Sequence, residues 1–135
     1  MKQRVPVSGI MAKNVVTVNV TNSLAQAKYL FKQHKIRHIP VVSGKKIIGM
    51  LSYADLLRIS FVDSTGQAGV EAYDMFTIEQ VMVKNIVSIS PETTIKEAAE
   101  ILATNEFHAL PVCEGDELVG ILTTTDLIKY LISQY

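Results

Sequence analysis

Apolar and polar positions along the chain change period in a fixed order, and that order occurs twice. Val15-Val16-Thr17-Val18-Asn19-Val20 is β-branched and reads as a short strand. A helix-period stretch follows, with Leu24, Ala27, Leu30 and Phe31 as its buried stripe and Ser23 with Gln26 spaced as a capping box. Two strand-like runs come next, residues 38–42 and 47–51, separated by the hairpin-length loop Ser43-Gly44-Lys45-Lys46. Leu56, Leu57 and Ile59 then return to helical period. The second half repeats the series. Residues 86–90 form the strand, Ile95, Ala98, Ile101 and Leu102 the helix stripe opened by Thr94 and Glu97, and residues 109–113 and 118–122 the strands around Glu114-Gly115-Asp116-Glu117. Leu127, Ile128, Leu131 and Ile132 close it as a helix.

Shifting the chain by 71 residues lays residues 10–58 on 81–129 without a gap. Met11, Lys13, Asn14, Val16, Ala27, Pro40, Val41, Gly44, Gly49, Leu51, Asp55 and Leu56 then fall on identical residues, from Met82 to Leu127. The chain is two copies of one unit, strand-helix-strand-strand-helix. Such a unit rarely buries its apolar face alone, so the expected fold is α+β, two pseudo-twofold-related repeats packed as one compact module. The expected bounds are 7–61 for the first repeat, 62–77 for a glycine-containing polar linker and 78–135 for the second. A length of 135 residues with 48% apolar composition is ample for an ordinary core.

Chemistry concentrates in one stretch of each copy, Gly49-Met50-Leu51-Ser52-Tyr53-Ala54-Asp55 and Gly120-Ile121-Leu122-Thr123-Thr124-Thr125-Asp126. Both read G-x-x-[ST]-x-x-D where a strand runs into a helix. The first amides of a helix lack intrahelical partners and, with the helix dipole, favour an anion. A hydroxyl at Ser52 or Thr123 adds a donor for phosphate, and a carboxylate at Asp55 or Asp126 accepts two hydrogen bonds from a ribose diol. The same spacing also approximates a capping box, which needs no ligand. The two roles stay open at the level of the motif.

Charge is balanced overall, thirteen basic against thirteen acidic residues, and argues for neither nucleic acid nor an anionic membrane. Its distribution is uneven. Residues 10–58 carry eight basic groups against one acidic, a net +7, while residues 81–129 carry three against eight, a net −5. No apolar run approaches a membrane span and the start lacks the apolar region of a signal peptide, so a cytoplasmic location is expected. Cys113 is the lone cysteine and reads as a strand residue, in keeping with a reducing compartment. His34 and His38 have i,i+4 spacing but a helix end falls between them and no third ligand is near in sequence, so no metal is expected. No nucleophile sits in a recognisable elbow, and no enzymatic activity is expected. Lys28, Lys32 and Lys35 line one helical face, read as solvated surface in the absence of aromatic interleaving.

The chain resembles the tandem CBS (cystathionine β-synthase) domain pair, or Bateman module. The residues that carry the resemblance are the Ile10-Met11 and Val81-Met82 openings, the Thr17-Val18 and Ser88-Ile89 strands, the Ile39-Pro40-Val41-Val42 and Leu110-Pro111-Val112-Cys113 strands and the two G-x-x-[ST]-x-x-D endings. The resemblance implies a regulatory module with no required cofactor that binds adenosine-containing ligands in clefts between the repeats and often forms disc-shaped homodimers. It implies ribose at Asp55 and Asp126, phosphate near Ser52 and Thr123, and help from the Thr125 hydroxyl, which Ala54 in the first copy cannot give. Arg37-His38 and His108-Ala109, just before the proline strands, are implied to face phosphate, with more cations in the first copy. Thr17, Val18, Ser88, Ile89, Ile39, Pro40, Leu110 and Pro111 are implied to form an adenine slot, although most of these apolar side chains read equally well as core.

Two functions are consistent with these readings. One is a sensor of adenine nucleotides or S-adenosylmethionine, of the kind that reports energy state, acting on a protein partner. The other is a protein-binding or structural dimerisation module with vestigial clefts. If a disc-shaped dimer forms, the opposite charges of the copies favour an antiparallel arrangement.

Overall fold

The computed structural model describes residues 4–60 and 75–135. Most of the expected linker lies outside the described residues. Contacts divide the chain into two compact units, one formed by residues 16–86 and one by residues 87–135 together with the first fifteen.

The 16–86 unit runs β1 (Val18–Asn19), α1 (Leu24–His34), β2 (His38–Ser43), β3 (Lys46–Ser52), α2 (Tyr53–Ser60) and α3 (Ile78–Val81). The expected capping box opens α1, with Ser23 Oγ accepting from Gln26 N–H and Gln26 Oε1 accepting from Ser23 N–H. Leu24, Ala27 and Phe31 are buried, as the stripe predicts, and join Val18, Ile39, Val41, Leu51, Leu56, Ile78 and Met82 in the core. β2 and β3 form an antiparallel hairpin turned at Gly44, whose φ of 65° suits glycine, with a bulge opposite Val41 and Val42.

The 87–135 unit has the same plan: α4 (Ile95–Ala103), β4 (Ala109–Glu114), β5 (Glu117–Thr123) and α5 (Thr124–Ser133). Thr94 and Glu97 cap α4 reciprocally, and those bonds hold the Glu97 carboxyl below its ordinary range. The β4–β5 hairpin turns at Gly115, φ 62°, with a bulge at the matching place, and Val7, Ile89, Ala98, Leu102, Leu110, Val112 and Leu122 form the core.

Both leading strands are shorter than their β-branched runs predict. The first contracts to Val18–Asn19, parallel to β2, and the second to a single bridge between Ile89 and Val112. The cause is in the partner strand. Ile89 N–H donates to Pro111 C=O and Cys113 N–H donates to Ile89 C=O, so the next bridge back would need an N–H from Pro111. Proline has none, and Pro40 stops the first ladder in the same way.

Each hairpin carries a strap from a distant stretch. Val83 exchanges backbone hydrogen bonds with Met50 of β3 at 2.9 and 3.0 Å, and Ala12 does so with Ile121 of β5 at 2.9 and 3.0 Å. The straps are seated by methionine. Met82 lies over Gly49 and Met11 over Gly120, so close that a Cβ on either glycine would run into the sulfur. The first glycine of G-x-x-[ST]-x-x-D thus makes room for a thioether.

Candidate functional site

The two strand-to-helix turns are built alike and finished differently. In the 87–135 unit Thr123 Oγ1 accepts from Asp126 N–H at 3.2 Å, and Asp126 Oδ2 accepts from Thr123 N–H at 2.9 Å, a complete capping box. In the 16–86 unit Ser52 Oγ accepts from Asp55 N–H at 3.0 Å, but the Asp55 carboxylate turns to Arg58, with 3.1 Å between Oδ1 and Nη2. Equivalent aspartates therefore stand in different states. Both turns are half-buried at their Ser or Thr and Asp positions, so the groups are fixed yet reachable.

Backbone bonds tie the residues before each proline strand to the helix start. Tyr53 N–H donates to Arg37 C=O at 2.9 Å, and Thr124 N–H and Oγ1 donate to His108 C=O at 3.0 and 3.2 Å. These bonds use two helix-start amides that an anion would otherwise take, and they place Arg37 and His108 beside the turns with exposed side chains. His38 lies opposite Ser52 in the hairpin register and Ala109 opposite Thr123. The structure thus brings Arg37, His38, Ser52 and Asp55 together in one unit, and His108, Ala109, Thr123 and Asp126 in the other. Thr125 is exposed one residue before Asp126, while the neighbouring Thr124 hydroxyl is bonded into the turn.

The apolar positions are chiefly core. Ile39, Pro40, Leu110 and Val18 are under 2% exposed, Ile89 is 8% exposed, and Ala109 and Pro111 are buried. Val18 and Ile39 belong to the core of the 16–86 unit, and Ile89 and Leu110 to that of the 87–135 unit. Thr17 is half-buried and Ser88 exposed at the open ends of the shortened strands. Behind Ser88, burial raises the Cys113 thiol above its ordinary range, Asp116 adds to the rise, and a hydrogen bond from the Ser88 side chain opposes it. An open groove of about 460 Å³ lies elsewhere, along α1, lined by Asn22, Ala25, Gln26, Tyr29 and Leu30. Among the described residues no three His, Cys, Asp or Glu side chains are placed to hold a metal, and no helix is long and apolar enough to cross a membrane.

Three participants are not legible in the motif. Met11 and Met82 seat the straps, and the only sequence signal is that both copies keep a methionine at the same offset from the glycine. Arg58 is the third. Its i,i+3 spacing from Asp55 is a visible pairing signal on a helix.

The family model for the CBS domain matches residues 7–61 and 78–133. The chain is 31% identical over 122 residues to the CBS domain-containing protein YhcV of Bacillus subtilis, covering 90% of this chain and 81% of that protein. It spans only 22% of an inosine-5′-monophosphate dehydrogenase from Korarchaeum cryptofilum, to which it is 28% identical over 116 residues, 85% of this chain. Among solved structures, the Vibrio cholerae protein AcuB is 30% identical with a TM-score of 0.82, covering 96% of this chain and 92% of that one. Two CBS structures share the fold at lower identity, each covering 96% of this chain and 98% of the other. They are the MJ0100 domain pair in complex with 5′-methylthioadenosine and S-adenosyl-L-methionine, TM-score 0.82 and 21% identical, and CBSX2 in complex with AMP, TM-score 0.81 and 20% identical.

Proposed function

Because the chain belongs to the CBS domain family, we propose that it is a non-catalytic regulatory module that binds an adenosine-containing ligand and passes the bound state to a protein partner. The ligand class is AMP, ADP, ATP or S-adenosylmethionine. Support comes from the complexes of MJ0100 and CBSX2 with such molecules, and from the residues of this chain. The observation that carries the reading is the duplicated turn, in which a half-buried aspartate sits one helical turn after a strand-end hydroxyl. A carboxylate offers about four acceptor positions, and the capping bond at Asp126 uses one. Capping and ribose binding are compatible. Adenine then lies against the backbone near Thr17-Val18 and Ser88-Ile89, since the Val18, Ile39, Ile89 and Leu110 side chains belong to the cores. A cytoplasmic setting belongs to the same reading.

Calorimetric titration of the chain with AMP, ADP, ATP and S-adenosylmethionine tests it. Any true ligand at one hundred times its dissociation constant stabilises the fold by about 2.7 kcal/mol. Failure of all four to bind or to raise the melting temperature rejects the reading.

One observation favours the dimerisation reading. Ile128, Leu131, Ile132 and Tyr135 are 53%, 46%, 66% and 98% exposed and fall at i, i+3, i+4 and i+7 along α5 and its end, an exposed apolar stripe. A homodimer that buries it is consistent with either function, and an antiparallel one sets the net positive copy against the net negative copy.

A further inference from the structure

The internal repeat supplies its own control: the same aspartate, on the same turn, meets different neighbours. In the 87–135 unit Asp126 is held by its own cap, and Lys129, three residues on, makes no ion pair with it. In the 16–86 unit Arg58, at the matching place, holds Asp55 Oδ1 at 3.1 Å. Long helical side chains lean toward the helix N-terminus, which puts this guanidinium over the turn where Ser52, Arg37 and His38 gather.

We infer that Arg58 is a charge filter at the 16–86 turn, selecting a nucleotide that carries phosphate over a neutral or positively charged adenosine derivative. The inference rests on the ribose role of Asp55 proposed above. A ribose diol arriving at Asp55 shares the carboxylate with Arg58, which uses one of its acceptor positions and partly neutralises its charge. The guanidinium is 76% exposed on a flexible stem, so it can turn from Asp55 to another anion, which restores the full carboxylate charge to the diol. A phosphate supplies one in bidentate geometry. Adenosine supplies none, and S-adenosylmethionine sets two positive groups, its sulfonium and ammonium, against a single carboxylate, which leaves a net positive charge beside the guanidinium. At the 87–135 turn no cation among the described residues is paired with Asp126, so that turn accepts the uncharged 5′ end more readily. The two turns therefore prefer different members of one ligand class.

The test is calorimetry of the full chain with AMP, adenosine and S-adenosylmethionine, for the parent, Arg58→Gln and Arg58→Lys, each in an Asp126→Ala background that silences the other turn. Arg58 is largely exposed, so the substitutions leave the core intact. In Arg58→Gln adenosine affinity is expected to rise about two- to fivefold, the scale of an exposed ion pair. The preference for AMP over adenosine is expected to fall about tenfold, the scale of one charge-assisted contact. Arg58→Lys, which keeps charge without the planar fork, should fall between. An unchanged AMP-to-adenosine ratio in Arg58→Gln overturns the filter alone. Absence of binding by the parent chain to any of the three, with Asp126 intact, overturns the ribose reading and the filter with it.

Discussion

Adding one methyl group at Gly49 tests whether the straps are structural parts of the units. Neither Gly49 nor Gly120 has a positive φ, so alanine is compatible with the backbone at both and lowers unfolded-state entropy, a gain of about 0.4–1 kcal/mol. The net effect depends on the neighbours. At Gly49 the new Cβ runs into Met82 Sδ and meets Met82 Cγ and Val83 O at 3.0 Å each. Val83 belongs to the strap and exchanges both its backbone bonds with Met50, so the strap has to move and its ladder is strained. At Gly120 the contacts are Met11 Sδ at 2.6 Å and Met11 Cε and Cγ at 3.0 Å, all in one flexible, half-buried side chain. Overpacking of a fixed site costs about 1–3 kcal/mol. Gly49→Ala is thus expected to destabilise by about 1–2 kcal/mol net, and Gly120→Ala by less than about 1 kcal/mol. At about 4 °C per kcal/mol for a chain of this size, Gly49→Ala lowers the melting temperature by about 4–8 °C. Thermal and urea unfolding of both variants, with Gly49→Ala/Met82→Ala as the relief variant, measure it. A Gly49→Ala protein as stable as the parent, or less affected than Gly120→Ala, would refute the seating of the strap.

Other expectations concern ligand and assembly. Asp126→Ala should remove about 1.5–3 kcal/mol of nucleotide affinity at its turn and about 1 kcal/mol of stability through the lost cap, so a variant that binds as tightly as the parent rules out the ribose role. Arg37→Ala should weaken ATP binding more than His108→Ala, because Arg37 has Lys35 and His38 beside it in sequence and His108 has no such company; equal losses reject that ranking. Cysteines engineered on α2 and α5 should cross-link between copies from α2 to α5, and a dimer that joins only like helices rejects the antiparallel arrangement.

The features legible in the sequence are those encoded locally. The order of strands and helices, the caps of α1 and α4 and the hairpins at Gly44 and Gly115 each depend on residues a few positions apart. The CBS resemblance rests on the same residues and is borne out by the family match over both repeats. Strand length is not legible in β-branched composition, which says nothing of the partner, and the missing N–H of Pro40 and Pro111 is what ends the ladders. The straps are invisible because Met11 meets Gly120 from the opposite end of the chain, a pairing with no periodic signature. The Thr77–Gln80 capping box of α3 is written in the sequence but masked there by the linker composition beside it. The differing states of Asp55 and Asp126 cannot be read from one shared motif, since they depend on which way a carboxylate turns.

The division of the chain into a continuous unit and a split one sets an order of events on the ribosome. Residues 16–86 are complete as a packing unit once residue 86 has emerged, strap included. Residues 4–12 emerge before that unit, but their partners, from Ile89 to Ile121, only after it. At about 5–20 residues per second this leading segment waits roughly 6–25 s for its hairpin. During that time Val7, fully buried in the finished protein, is open to solvent, and its N–H has no Thr93 carbonyl to meet. The last-made part of the split unit therefore gathers in a segment made before the whole of the other unit.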